Sequence, residues 1–119
     1  MYRTGSLLFE AREAHDKVWF VQSIEVYGRT DSTLSLRLYI RQGLFVHAFL
    51  GEMTDSLYFA LIEGNQRIFG IDHVGGSHWH LHSFEAPHKH EPFDEGLGPK
   101  PLLTFLSKVE KVLLENNLL

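Results

Sequence analysis

"STLSLRLYIR", residues 32–41, decides the fold. Leu34, Leu36, Leu38 and Ile40 fall on alternate positions, with Ser35, Arg37, Tyr39 and Arg41 between them or at the end. A period of two belongs to a pleated strand with one face buried and the other in water. "RQG" (41–43) is a tight connection into "LFVHAFL" (44–50), so these two strands form a hairpin. Upstream, "VWFVQSIEVYG" (18–28) is rich in β-branched and aromatic residues and reads as a strand. Downstream, "SLYFALIE" (56–63), the turn "GNQ" and "RIFGID" (67–72) read as a second hairpin. His78 to Phe84 supplies a further strand or extended segment.

Three prolines and two glycines between residues 92 and 101 make a loop. Pro101 suits the first turn of a helix, where its missing N–H is not needed. In the following segment Leu102, Leu106, Val109 and Leu113 are spaced by four, three and four, and Phe105 and Val112 widen the stripe. That is an amphipathic helix with one face to bury, and the sheet is the available surface. The expected architecture is α+β: a single domain, 1–119, with an antiparallel meander of five to six strands and a C-terminal amphipathic helix packed on one face. Residues 6–17 add either a strand or a short helix. The closing "ENNLL" (115–119) is either a frayed end or an association contact.

The 119 residues include no cysteine, which excludes disulfides, thiolate metal sites and a cysteine nucleophile. The N-terminal "MYRTGSLLFEAREAHDK" lacks the apolar run of a signal peptide, and no stretch approaches the ~18 apolar residues of a membrane span. A cytoplasmic protein without a membrane partner is expected. The formal charge of −4 argues mildly against a general nucleic-acid binder, whose footprint is usually basic. "GLGPKP" (96–101) lacks the Lys-Ser/Thr end of a phosphate loop, and no nucleophile elbow is present.

The chemistry is concentrated in "HVGGSHWHLHSFEAPHKH" (73–90), which holds six of the eight histidines. If the segment is extended, His78, His80 and His82 point to one side, and Trp79 and Leu81 to the other. His88 and His90 repeat the spacing in "PHKH". His73 ends a strand before the Gly75–Gly76 pair, a common place for active groups. Three readings compete. The first is a divalent metal such as Zn²⁺ or Ni²⁺ on His78, His80, His88 and His90, with a carboxylate from Asp72, Glu85 or Glu91. The second is acid–base chemistry, because imidazole exchanges protons near neutral pH. Metal-free RNA cleavage needs a base for the 2′-hydroxyl, an acid for the leaving oxygen and a cation for the phosphate. Histidines with Lys89, Arg67 or Arg37 supply those parts. The third is structural, each imidazole hydrogen-bonding nearby backbone. His47, between Phe45 and Phe49, reads as a cross-strand packing residue, and His15 as a solvated one.

From "RIFGIDHVGGSHWHLHSFEAPHKH" the chain resembles the TumE-like family of small prokaryotic toxin–antitoxin proteins. In that family a β-hairpin ends in a Gly-x-x-hydrophobic-aromatic-Arg-x-Asp-Asn type motif. A His-rich loop follows, then a Pro-His-His-Lys-His type motif and a short helix. Asp72 takes the motif's Asp position, Pro87-His88-Lys89-His90 matches the second motif, and "PLLTFLSKVEKVL" fits the helix. Gly70-Ile71 stands where the family has an arginine beside an aromatic, and His73 where it has Asn. The resemblance implies a toxin acting on RNA and paired with a helix-turn-helix antitoxin. Its site would be Asp72, His78, His80, His82, His88 and His90, with Lys89, Arg67 and Arg37 binding substrate. A homodimer is also a candidate, since an antiparallel sheet with an uncovered face often dimerises.

Overall fold

The computed structural model describes residues 2–75 and 78–119; Gly76, half of the Gly75–Gly76 pair, lies outside them. The chain runs α1 (Thr4–Lys17), β1 (Ser23–Arg29), β2 (Thr33–Arg41), β3 (Leu44–Gly51), β4 (Ser56–Glu63), β5 (Gln66–His73), β6 (Trp79–His82), β7 (Glu91–Pro92) and α2 (Pro101–Glu115). The strands form one sheet in sequence order, and each neighbouring pair is antiparallel. The α+β meander with its C-terminal helix is therefore as the alternation predicts. The sheet has seven strands rather than five to six, because the two-residue β7 forms within the proline-rich stretch.

The alternation of β2 is reproduced in its burial: Leu34, Leu36, Leu38 and Ile40 are buried, and the residues between them are partly exposed. Register carries this pattern sideways. Val46, Ala48 and Leu50 of β3, then Leu57, Phe59 and Leu61 of β4, continue the same buried face. Both helices pack there. From α1 come Leu7, Leu8, Ala11 and Ala14, and from α2 the whole stripe of Leu102, Phe105, Leu106, Val109, Val112 and Leu113. Phe105 stacks on Phe59 at 5.3 Å and on Phe69 at 5.5 Å, which fixes α2 over β4 and β5. Each such side chain contributes roughly 1.5–3 kcal/mol on burial. Gly64 and Asn65 both have positive φ, the geometry of a two-residue hairpin turn between β4 and β5.

The ambiguous N-terminal segment is a helix. The N-cap residue, Arg3, makes no side-chain cap hydrogen bond; Ser6 Oγ accepts the Arg3 N–H at 3.4 Å, and a second acceptor arrives from far along the chain: Glu52, between β3 and β4, accepts the Thr4 N–H at 2.9 Å. That hydrogen bond holds the Glu52 carboxyl below its ordinary range. The N-terminus of α2 is met the same way. Glu10 of α1, 4% exposed, accepts the Leu103 N–H at 2.6 Å and the Tyr2 hydroxyl at 2.5 Å. A carboxylate suits the positive end of a helix. Burial nevertheless pushes the Glu10 carboxyl upward, against these hydrogen bonds.

Strand β1 starts at Ser23, five residues later than the sequence suggests. Phe20 and Val21 instead turn into the core, and Trp19 donates to Glu110 of α2. The terminal "ENNLL" is held. Asn117 has a positive φ, and the Leu118 N–H returns to the Leu113 carbonyl at 3.1 Å, closing the helix in a Schellman turn. Arg41 Nε donates to the Leu118 carbonyl. Among the described residues, no helix is long and apolar enough to cross a membrane.

Candidate functional site: a histidine–aspartate cluster on the open sheet face

Antiparallel register gathers the site. Asp72 of β5 lies opposite His80 of β6, and Gly70 opposite His82. Directly opposed residues project to the same side. Since Ile71 and Leu81 face the helices, Asp72, His80 and His82 face the other way. His82 is fully buried, and Asp72 is 8% exposed. His82 Nε2 lies 3.0 Å from Asp72 Oδ2, while His80 Nδ1 lies 3.8 Å from Oδ1, an electrostatic contact rather than a hydrogen bond.

The cover over His82 is the segment after β6. Ala86 donates its N–H to Ser83, and Lys89 donates to the Ala86 carbonyl, so the chain doubles back in two tight turns. Pro87 thereby presents its carbonyl to His82 Nδ1 at 3.2 Å. His90 is carried back onto the cluster, its ring 4.5 Å from that of His82 and 5.7 Å from that of His80, edge to face in both cases.

The two contacts engage both nitrogens of the His82 ring: Nδ1 faces the Pro87 carbonyl and Nε2 the Asp72 carboxyl. Neither nitrogen of His82 is free for a substrate. It is a positioning group, and the nitrogens available for chemistry belong to its neighbours.

Those neighbours open onto a cleft of about 410 Å³ lined by His78, His80, His90, Pro92 and Asp94. On the other flank is Arg67. Its side chain runs across Gly70, where a Cβ would lie 3.1 Å from Arg67 Cδ and 3.0 Å from the Phe59 carbonyl oxygen. Arg67 then donates from Nη2 to the Pro87 carbonyl, a long bond of 3.4 Å, and its Nε is buried without a partner. Gly70 thus takes the place of a side chain so that Arg67, three positions earlier, can bring a guanidinium beside the cluster.

The structure thus brings together Asp72, His80, His82, His90 and Arg67, with His78 at the cleft. It does not bring in the rest. His88 and Lys89 are exposed on the turn and make no side-chain hydrogen bond, ion pair or ring contact among the described residues. Arg37 is on the same face but four strands away, in the row Arg37–His47–Ala60–Gly70–His82, roughly 19 Å at the usual strand spacing. The metal set His78, His80, His88 and His90 is not assembled: among the described residues no three His, Asp or Glu side chains are placed to hold an ion. His82 and Asp72 are already committed to each other, so they do not complete such a set. His73, on the helix side of β5, packs edge-on against Trp79 at 4.4 Å. His47 is the cross-strand neighbour of Arg37 on the open face, where burial first and the Arg37 charge second lower its pKa. His15 is exposed and meets the Gln22 carbonyl.

Sequence reasoning missed Gly70 and Asp94. Gly70 signals only an interrupted strand, and nothing local marks Asp94. A larger cleft, about 830 Å³, lies between α1 and the residues before α2 and includes Tyr2, Glu10, Glu13, His73, Trp79 and Lys100. Its carboxylates are spent on structure: Glu10 on α2 and Tyr2, Glu13 on Lys17 and Lys100.

The class so defined is an α+β meander with two helices on one face and a histidine–aspartate cluster at the far edge of the other. No protein-family model matches the chain, and neither does any curated protein or solved structure compared with it.

Proposed function

We propose that the protein is a metal-independent ribonuclease, acting as the toxin of a toxin–antitoxin pair, as its resemblance to the TumE-like family implies. The observation that carries this reading is the accessible pair His80 and His90, 5.7 Å apart and edge to face over the cleft. Two imidazoles flanking one phosphodiester are the minimal acid–base equipment for cleaving RNA. One imidazole takes the proton of the 2′-hydroxyl as that oxygen attacks phosphorus. The other, protonated, gives its proton to the departing 5′-oxygen. The products are a 2′,3′-cyclic phosphate and a free 5′-hydroxyl, and the two imidazoles end with exchanged protonation states. Asp72 lies 3.8 Å behind His80, His82 holds Asp72 and supports the ring of His90, and Arg67 supplies charge to the phosphate. The chain's net charge of −4 suits a basic antitoxin partner of the helix-turn-helix kind, in the cytoplasm.

The test is cleavage of a single-stranded RNA in the presence of a chelator. His80→Ala and His90→Ala should each lower the rate by about 10²–10⁴, the usual contribution of a general acid or base. Wild-type rates in both variants would overturn the assignment, as would activity that the chelator abolishes.

A further inference from the structure

The sheet face opposite the helices carries a second feature. Register places three rows on it. One is Ser35, Phe49, Tyr58, Asp72 and His80; the middle one is Glu25, Arg37, His47, Ala60, Gly70 and His82; the third is Tyr39, Phe45, Ile62 and Arg67. Aromatic pairs form the two outer rails near β2 to β4: Tyr39 against Phe45 at 5.7 Å, and Phe49 against Tyr58 at 5.8 Å. Between them the middle row passes from Arg37 and His47 to the small Ala60, and beyond it Arg67 lies across Gly70 beside the histidine cluster. Neither helix covers this face.

Arg37 stands at the head of that track. Its guanidinium lies 4.0 Å from the ring centre of Tyr27 and 4.6 Å from that of Phe45, a cation held between two aromatic rings. Its Nε is buried with no partner, and among the described residues its terminal nitrogens bond no protein group. Glu25, opposite it in register, accepts the Tyr39 hydroxyl at 2.7 Å instead. Asp72, the other carboxylate that register places on this face, is held by His82. The hydroxyl does not cancel the Glu25 charge, so with Asp72 bonded to His82 the face carries Glu25 beside two arginines, Arg37 at one end and Arg67 at the other, neither of them in an ion pair among the described residues. A chain of net charge −4 has gathered these two guanidinia and five exposed or half-exposed aromatic rings, Tyr27 among them, on one face that neither helix covers.

We infer that this face is a binding platform for single-stranded RNA, with Arg37 gripping a backbone phosphate and bases stacking on Tyr58 and its aromatic neighbours. The inference rests on the ribonuclease reading in that the platform would feed the strand to the His80–His90 pair. The chemistry is that of single-strand binders, which combine a cationic track with stacking surfaces. A planar guanidinium already stacked and oriented suits a phosphate better than an ammonium does. The track from Arg37 to His82, roughly 19 Å at the usual strand spacing, is long enough for several nucleotides.

The test uses the full chain and a fluorescently labelled 2′-O-methyl oligouridylate of about 12 nucleotides, within the range of known single-strand sites. Lacking a free 2′-hydroxyl, this probe cannot be cleaved by the proposed route, so it reports binding alone. Affinity should fall as salt rises. Arg37→Ala should weaken it at least about tenfold, Tyr58→Ala by about tenfold, and Arg37→Lys to an intermediate degree. Melting curves verify that each variant is folded, and Arg37→Lys keeps the comparison valid if the alanine variant is not. Unchanged affinity in folded Arg37 and Tyr58 variants would overturn the platform, even if RNA cleavage by the wild type stands. Weakened binding in those variants with no wild-type cleavage would keep the platform and remove the catalytic reading. The rival occupant is a second copy of the chain: a dimer in sedimentation that Tyr58→Glu dissociates, with no oligouridylate bound, would also overturn it.

Discussion

Replacing His82 with Ala tests the buried pair on which the site is built. His82 is fully buried and makes two hydrogen bonds, to the Asp72 carboxyl at 3.0 Å and to the Pro87 carbonyl at 3.2 Å. Removal leaves a carboxyl that is 8% exposed without its partner. A hydrogen bond to a charged group contributes about 1.5–3 kcal/mol and an ordinary one about 0.5–1.5 kcal/mol, the Pro87 carbonyl keeping its bond from Arg67, and the void left by a fully buried ring adds to the loss. Asp72 recovers part of this by turning to His80, 3.8 Å away. The expected loss is therefore about 3–5 kcal/mol, the range for breaking a buried pair by deleting one member. For a domain of this size that corresponds to a fall in Tm of roughly 12–20 °C. Urea unfolding at neutral pH reads the free energy directly. In the double variant with Asp72→Ala, the loss should be smaller than the sum of the single losses by more than about 1 kcal/mol, because the pair is coupled. A loss below about 1 kcal/mol for His82→Ala would refute the geometry from which the site is derived.

Four other consequences are open to measurement. Gly70→Ala should cost about 1–3 kcal/mol in urea unfolding, because its Cβ would meet the Phe59 carbonyl oxygen at 3.0 Å. A neutral effect would show that β4 and the Arg67 side chain yield freely. Phe105→Ala should cost about 3–5 kcal/mol, since this ring is buried against Phe59 and Phe69. Glu10 carries a raised carboxyl pKa because of burial, so the folded state binds its proton more tightly than the unfolded one. Its contribution is full below the unfolded carboxylate range and declines as pH rises through the folded value. Stability of the wild type relative to Glu10→Gln should therefore fall between about pH 4 and neutrality; a flat difference would contradict the burial argument. His47 is held below its ordinary value by burial and then by Arg37. Its NMR titration in Arg37→Ala should move part of the way back toward the ordinary ~6.5, with burial holding the rest.

The fold was legible wherever one strand or helix carries its own period. The leucines of β2 announce both the strand and its buried face, and the 102–113 stripe announces α2. What escaped depends on partners distant in sequence. Helix α1 presents only a modest stripe ending in Ala11 and Ala14, and the acceptor at its start, Glu52, is 48 residues from Thr4. The aromatic run at 18–21 has strand-like composition, yet Phe20 and Val21 are more useful as a core plug below the sheet. For the site, His-x-His spacing correctly places His80 and His82 on one side. It does not say that Asp72 will be opposite His80, because that is a matter of register. It also treats the six histidines alike. The turn at Ser83–Lys89 separates them, burying His82, returning His90 to the cluster and leaving His88 outside. Arg67 reaches the cluster only because Gly70 has no side chain, a relation between two positions that neither reveals alone.

The most direct test of the account is the chemical identity of the ends made when the purified wild-type protein is incubated with single-stranded RNA. Mass spectrometry should find 2′,3′-cyclic phosphate and 5′-hydroxyl termini, and a strand with one 2′-deoxy nucleotide should be spared at that position. Products ending in a 5′-phosphate, cleavage at the 2′-deoxy position or an intact RNA would contradict acid–base chemistry by His80 and His90.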